Sequence, residues 1–162
     1  MEEFGTRGYI YHRKDDNTVR FFIESKRVLS FLHSLGLPIG IKKYIGIPED
    51  FKVSLNLSKA CIRGIFNTDG SIYSRYGKKY SNHSRYYKNY AVIQFKMKNR
   101  EVIVFIKQSL EKSGLKLTKI GRVNKVYWVT RITSQKDVER FFKKLKINHP
   151  HHLRRFEKIK NN

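Results

Sequence analysis

The residues best placed for chemistry are Thr68 and Asp69, at the end of a helical pattern and directly ahead of Gly70, Ser71 and Ile72. Leu57, Ala60, Cys61, Gly64, Ile65 and Thr68 fall at i, i+3, i+4, i+7, i+8 and i+11, one stripe along a helix from Leu57 to Thr68. Within it Ala60, Gly64 and Thr68 are small and four apart, so a second helix can approach backbone to backbone. Ala60, Cys61, Gly64, Ile65 and Thr68 are the expected helix-pair or dimer contacts. Asp69 falls where the helix macrodipole is already negative, an unfavourable place for a carboxylate. Pairing two such helices brings two carboxylates together, and both stay ionised only with a hard, oxygen-liganded cation such as Mg2+ between them. Asp69, with Thr68, is thus the expected metal site, and metal-bridged carboxylates suit phosphodiester hydrolysis. Asp-Gly is also an ordinary helix-to-strand turn, and small residues pack equally well against a sheet of their own chain.

The charge agrees with a phosphodiester partner. Among 162 residues, 35 are Lys or Arg and 13 are acidic, a formal charge of +22 that polyanions feel at a distance. From Ser71 through Arg100 there is no acidic residue, while Arg75, Lys78, Lys79, Arg85, Lys88, Lys96, Lys98 and Arg100 interleave with six tyrosines. That is the footprint of a nucleic-acid surface, with a solvated basic sheet face as the plain alternative. No window approaches the roughly 18 apolar residues of a spanning helix, which argues against a membrane partner. Cys61 is the single cysteine, so one chain builds neither a disulfide framework nor a Cys-ligated zinc site. An intracellular, reducing compartment (cytoplasm, nucleoid or organelle matrix) is expected. Met1-Glu2-Glu3-Phe4 has no apolar core of a secretory signal.

The surrounding pattern positions these residues. Gly8 to Arg13 and Thr18 to Glu24 read as a hairpin around the polar turn Lys14-Asp15-Asp16-Asn17. A helix from Ser25 to Leu35, stopped by Gly36 and Pro38, and a basic loop from Gly40 to Pro48 follow. After the Leu57 to Thr68 helix come strands near Ser71 to Tyr76 and Tyr90 to Lys98, then a helix from Arg100 to about Lys112. Leu115 to Arg122 and Lys125 to Ile132 read as a hairpin turned at Val123-Asn124. Ser134 and Asp137 form a candidate capping box for a helix to Leu145, and a short basic helix follows Pro150. The fold class is α+β, with one antiparallel sheet under helices. Residues 8 to 37 lie over 115 to 147 with one residue gapped, matching Ser25 to Ser134, Val28 to Val138, and Phe31 and Leu32 to Phe141 and Phe142. This is a weak repeat signal, because amphipathic helices resemble one another.

The segment Ile62-Arg63-Gly64-Ile65-Phe66-Asn67-Thr68-Asp69-Gly70, followed by Ser71 and Ile72, resembles the LAGLIDADG motif of homing endonucleases in the form ending T-D-G. The resemblance covers Phe51 to the C-terminus. It implies that the motif helices of two αββαββα units form a central interface and that each unit's four-stranded antiparallel sheet makes a saddle in the DNA major groove. It further implies a Mg2+-dependent endonuclease acting on a long double-stranded DNA site. A single-motif chain of this length would work as a homodimer through the motif helix, with Asp69 from each copy. In the family the strands after the motif, and the loop joining them, read DNA. That assigns DNA contacts to Tyr73, Arg75, Lys78, Lys79, Arg85, Lys88, Lys96 and Lys98, about half of which alternation turns away. The resemblance also implies a polar residue ordering water beside the metals, Gln94 or Asn99, and a lysine near the last helix, for which Lys146 is available and His151 stands where lysine is expected. His149, His151 and His152 together read as surface phosphate contacts rather than a closed metal site.

Two departures shape the functional reading. Asn67 stands where many members have Asp, and only one motif is present. Residues 1–50 then read as a partial ββα segment, the back of a first repeat, ahead of an endonuclease-like domain at 51–162. The alternatives to an active homodimer are a relative that binds DNA or RNA without cleaving it, and a basic structural protein in which T-D-G is a chance turn.

Overall fold

A computed structural model describes residues 7–13, 19–36, 46–75 and 90–161. The chain divides into two compact units, Met1–Pro48 and Glu49–Asn162.

In the first unit, β1 (Gly8–His12) and β2 (Val19–Ile23) pair antiparallel with Ile10 opposite Phe21, and α1 (Lys26–Ser34) follows. Ser25 caps α1 by accepting a hydrogen bond from the Val28 backbone N–H, and Gly36 at φ +83° ends it in the left-handed region that suits glycine. Val28 is the buried hydrophobic residue of α1, whereas Ile10, Phe21, Phe22 and Phe31 are exposed. The expected turn at Lys14-Asn17 and most of the expected loop at Gly40 to Pro48 lie outside the described residues.

The second unit runs α2 (Glu49–Val53), α3 (Leu55–Asp69), β3 (Ser71–Ser74), β4 (Ala91–Met97), α4 (Arg100–Lys112), β5 (Gly121–Val123), β6 (Tyr127–Ile132), α5 (Gln135–Leu145) and α6 (Pro150–Lys160). Its four strands form one antiparallel sheet in the order β3-β4-β6-β5. Strand alternation separates two faces. Ile72, Ile93, Phe95, Thr130 and Ile132 are essentially inaccessible and face the helices, where Ile62, Phe66, Ile103, Ile106, Leu110, Val138 and Phe141 complete the core. Phe66 of α3 is its centre, with ring centroids 5.7 Å from Phe95, 4.9 Å from Phe141 and 6.2 Å from Phe142.

Several boundaries differ from the expectation. The motif helix begins at Leu55, two residues early, because Ser54 caps it by accepting from the Leu57 backbone N–H. The five-residue α2 is too short for a periodic signal. β5 is only Gly121–Val123, and the turn is centred on Asn124 and Lys125 at φ 51° and 54°, a backbone reversal with both central residues left-handed. Ser134 caps α5 as expected, but Asp137 does not reach back to complete the box. Its buried carboxylate accepts from the Lys116 backbone N–H and pairs with Arg140 at 3.0 Å, tying α5 to the segment before β5.

Candidate functional site

The motif helix turns one face into the core and leaves the other uncovered. Ser58, Ile62 and Phe66 are buried, while Leu57, Ala60, Gly64 and Thr68 are exposed and Cys61 and Ile65 are half-buried. A Cβ built on Gly64 would meet no atom within 4 Å. The small residues therefore do not pack against the sheet of their own chain. Burial pushes the Cys61 thiol pKa up, which keeps it a poor nucleophile.

Asp69 ends this helix with its side chain exposed. The Thr68 hydroxyl lies 3.0 Å from Asp69 Oδ2 and 3.2 Å from the carbonyl oxygens of Gly64 and Ile65, so its one proton is shared among three acceptors of the same turn. Gly70 is required by space rather than by φ. Its backbone is extended at φ −74°, but a Cβ there would sit 2.2 Å from Phe66 Cδ2 and 2.6 Å from the Phe66 carbonyl oxygen. The chain can only turn this tightly from α3 into β3 over a glycine, and that turn sets Ser71 directly opposite Gln94.

The sheet face turned away from the helices carries Ser71, Tyr73, Gln94, Lys96, Arg131 and Tyr127 in cross-strand register. Gln94 Oε1 accepts two hydrogen bonds, from Arg131 Nε at 2.8 Å and from the Tyr73 hydroxyl at 3.2 Å. Lys96 stands over the Tyr127 ring at 4.6 Å and Lys98 over the same ring at 5.9 Å. Arg75 leans over Tyr90 at 5.4 Å. On the other side of the β5–β6 hairpin, Trp128 receives Arg100 and Arg122 at 5.3 and 5.2 Å. Lys78, Lys79, Arg85 and Lys88 lie outside the described residues. Arg131, Tyr127, Trp128 and Arg122 belong to the second hairpin and escaped the sequence reading, which followed the acid-free stretch ending at Arg100; the alternation in Tyr127 to Ile132 was the available signal.

The residues expected to act together are only partly brought together. Gln94 reaches the strand position across from the start of β3, whereas Asn99 lies five residues further, about 16 Å along an extended chain. Asn99 Oδ1 accepts from the Glu101 backbone N–H and caps α4. Lys146 is the left-handed C-cap of α5 and shares a cleft with Asn56, Lys59, Ala60 and Arg63. That cleft flanks the first half of α3, and Asp69 is six residues beyond Arg63, about 9 Å along the axis, so Lys146 is not at the acid.

The histidines also divide. His151 is exposed, but α6 turns His152 inward to 6% exposure, its ring centroid 4.4 Å from Phe66. His152 is a core residue beneath the motif helix and not a surface phosphate contact. Burial, and next the neighbouring His149, push its pKa below the ordinary 6.5. The Nδ1 atoms of His149 and His152 and Asn67 Oδ1 are buried without a hydrogen-bond partner among the described residues.

Among the described residues no group of three His, Cys, Asp or Glu is placed to hold an ion. Asp69 and Thr68 of one chain provide one carboxylate and one hydroxyl, and a bridging centre needs a second acid. Among the described residues no helix is long and apolar enough to cross a membrane.

A helix with an uncovered strip of small residues, running into a four-stranded antiparallel sheet with helices on one face, is the α+β architecture of LAGLIDADG domains. Residues 56–146 match the LAGLIDADG-like domain family, and the chain belongs to it. The structure is similar to the N-terminal LAGLIDADG domain of DUF199/WhiA, at TM-score 0.55 and 15% identity, over 91% of this chain and 64% of that one. It is also similar to full-length DUF199/WhiA from Thermatoga maritima, at TM-score 0.55 and 16% identity, over 98% of this chain and 45% of that one. The chain thus spans under two thirds of the length of these structures. No curated protein matches the sequence significantly.

Proposed function

We propose that this protein binds double-stranded DNA through the sheet face bearing Lys96, Arg131 and Tyr127, and that a single chain does not cleave it. The observation that carries the reading is the cross-strand set of cations and aromatic rings on the face opposite the core, with Lys96 and Lys98 both over Tyr127. Such a surface neutralises phosphates while its strand side chains reach base edges. The reading that one chain does not cleave is supported by the acid count: among the described residues no group of three His, Cys, Asp or Glu gathers at Asp69, and Asn99 caps α4.

The test is the salt dependence of binding to a mixed-sequence DNA duplex, by fluorescence anisotropy. Replacing Lys96 and Lys98 together by Ala should lower the slope of log K against log salt by about 2 if both contact phosphate. An unchanged slope would place the DNA elsewhere.

A second reading, a Mg2+-dependent homing endonuclease, is favoured by one feature: Asp69 is exposed at the end of an uncovered small-residue strip. A helix of a second copy laid along that strip would supply the missing acid. Mg2+-dependent nicking of a DNA library, abolished by Asp69→Asn, would establish it; equal binding by both forms without nicking supports the binding reading. Duplex RNA as competitor tests whether RNA is a partner.

A further inference from the structure

We propose that Arg131 reads a guanine base in the major groove and that Gln94 is the positioning residue that aims it, an inference that rests on the DNA-binding reading above. Gln94 and Arg131 are direct cross-strand partners, neighbours of the buried Ile93 and Ile132 and therefore on the opposite face. An amide oxygen has two lone pairs, and Gln94 Oε1 spends both, on Arg131 Nε and on the Tyr73 hydroxyl. Two donors on one atom identify it as the oxygen and direct the Gln94 NH2 group away from them.

Arg131 is held at three points. Its backbone N–H donates to Thr118 Oγ1 at 3.0 Å, its carbonyl accepts from the Thr118 N–H at 2.9 Å, and its Nε is tied to Gln94. Its two terminal nitrogens carry the remaining four N–H groups and take no partner among the described residues. A guanidinium fixed through Nε has little rotational freedom left to lose when those nitrogens engage a ligand, which is the advantage of a rigid fork over a lysine.

The fork and the Gln94 NH2 present donors only. In the major groove guanine alone shows two adjacent acceptors, O6 and N7, while adenine and cytosine place an amino donor there. A donor array set opposite those amino groups would leave both sides unpaired, so the array selects guanine. The half-exposed position beside the start of β3 places this contact next to the end of the motif helix.

The experiment is selection of binding sites from random-sequence duplex DNA by the full chain and its variants, with thermal melting to confirm folding. Wild type should fix guanine at one position. Arg131→Lys, which keeps the charge but not the fork, should lower the preference for guanine there by about tenfold or more while leaving the salt slope unchanged. Gln94→Leu, which removes the acceptor for Nε, should weaken the same preference. Uniform loss of affinity for all sequences on Arg131→Lys, a wild-type pool without a fixed guanine, or Gln94→Leu identical to wild type would each overturn the assignment while leaving DNA binding in place. Failure of wild type to bind duplex DNA at all would overturn the binding reading itself.

Discussion

Gly64→Ala separates what the motif helix does for its own chain from what its exposed face is kept for. Glycine inside a helix costs about 1 kcal/mol relative to alanine, because its unfolded state is freer and it exposes backbone to water. Gly64 sits near the middle of the 15-residue α3, and a Cβ there meets nothing within 4 Å. The monomer therefore gains from the substitution and has no steric penalty to set against it. The expected stabilisation is about 0.5–1 kcal/mol, or about 2–4 °C in Tm for a domain of this size. If a second helix packs on the strip, the same methyl group holds the two backbones apart, and Gly64→Leu does so more strongly. Urea unfolding of wild type and Gly64→Ala, at dilutions where sedimentation shows a monomer, measures the first effect; sedimentation at higher concentration measures the second. Destabilisation of the monomer by Gly64→Ala would refute the open face of α3. Unchanged self-association in Gly64→Leu would refute the use of the strip for close pairing.

Gly70→Ala should act in the opposite sense, because its methyl group falls within 2.6 Å of the Phe66 ring and carbonyl oxygen. Forcing the turn open should cost on the order of 1–3 kcal/mol, read as a lower urea midpoint with unchanged slope; a wild-type midpoint would show that the turn opens freely. Stability should also fall with acidity through His152. Its folded pKa lies below the ordinary 6.5, so the folded protein binds fewer protons than the unfolded chain; the contribution is fully present above the unfolded value and is lost as pH falls from there toward the folded value. Urea midpoints between pH 7.5 and 5 should decline less in His152→Gln than in wild type, and parallel profiles would show that another group carries the dependence.

Element types in the second unit were legible because α3, α4 and α5 carry long apolar stripes and the α5 cap Ser134 is a short polar residue at the right step. The boundaries that slipped are those decided by geometry the pattern does not encode: an extended stretch before β5 that pairs through the Thr118 side chain, and left-handed residues at Asn124 and Lys125, neither of them glycine. Asp69 and the small-residue strip stood out because small residues four apart, ending in an acid, are rare by chance on one helix.

What the sequence determined by itself was the presence of a strip, an acid, a basic surface and an alternating sheet, since each is written in local spacing or composition. Tertiary structure decided where each was placed. Whether Ala60 and Gly64 met the sheet or solvent depended on the rotation of α3, which Ile62 and Phe66 set by burying themselves. Which partner Gln94 met depended on Arg131, 37 residues away and brought alongside only by the β4–β6 register. His152 entered the core and His151 did not because one helical step of about 100° separates neighbouring side chains, and the direction in which α6 presents that step is chosen by contacts with Phe66 and Phe142, which no local pattern specifies.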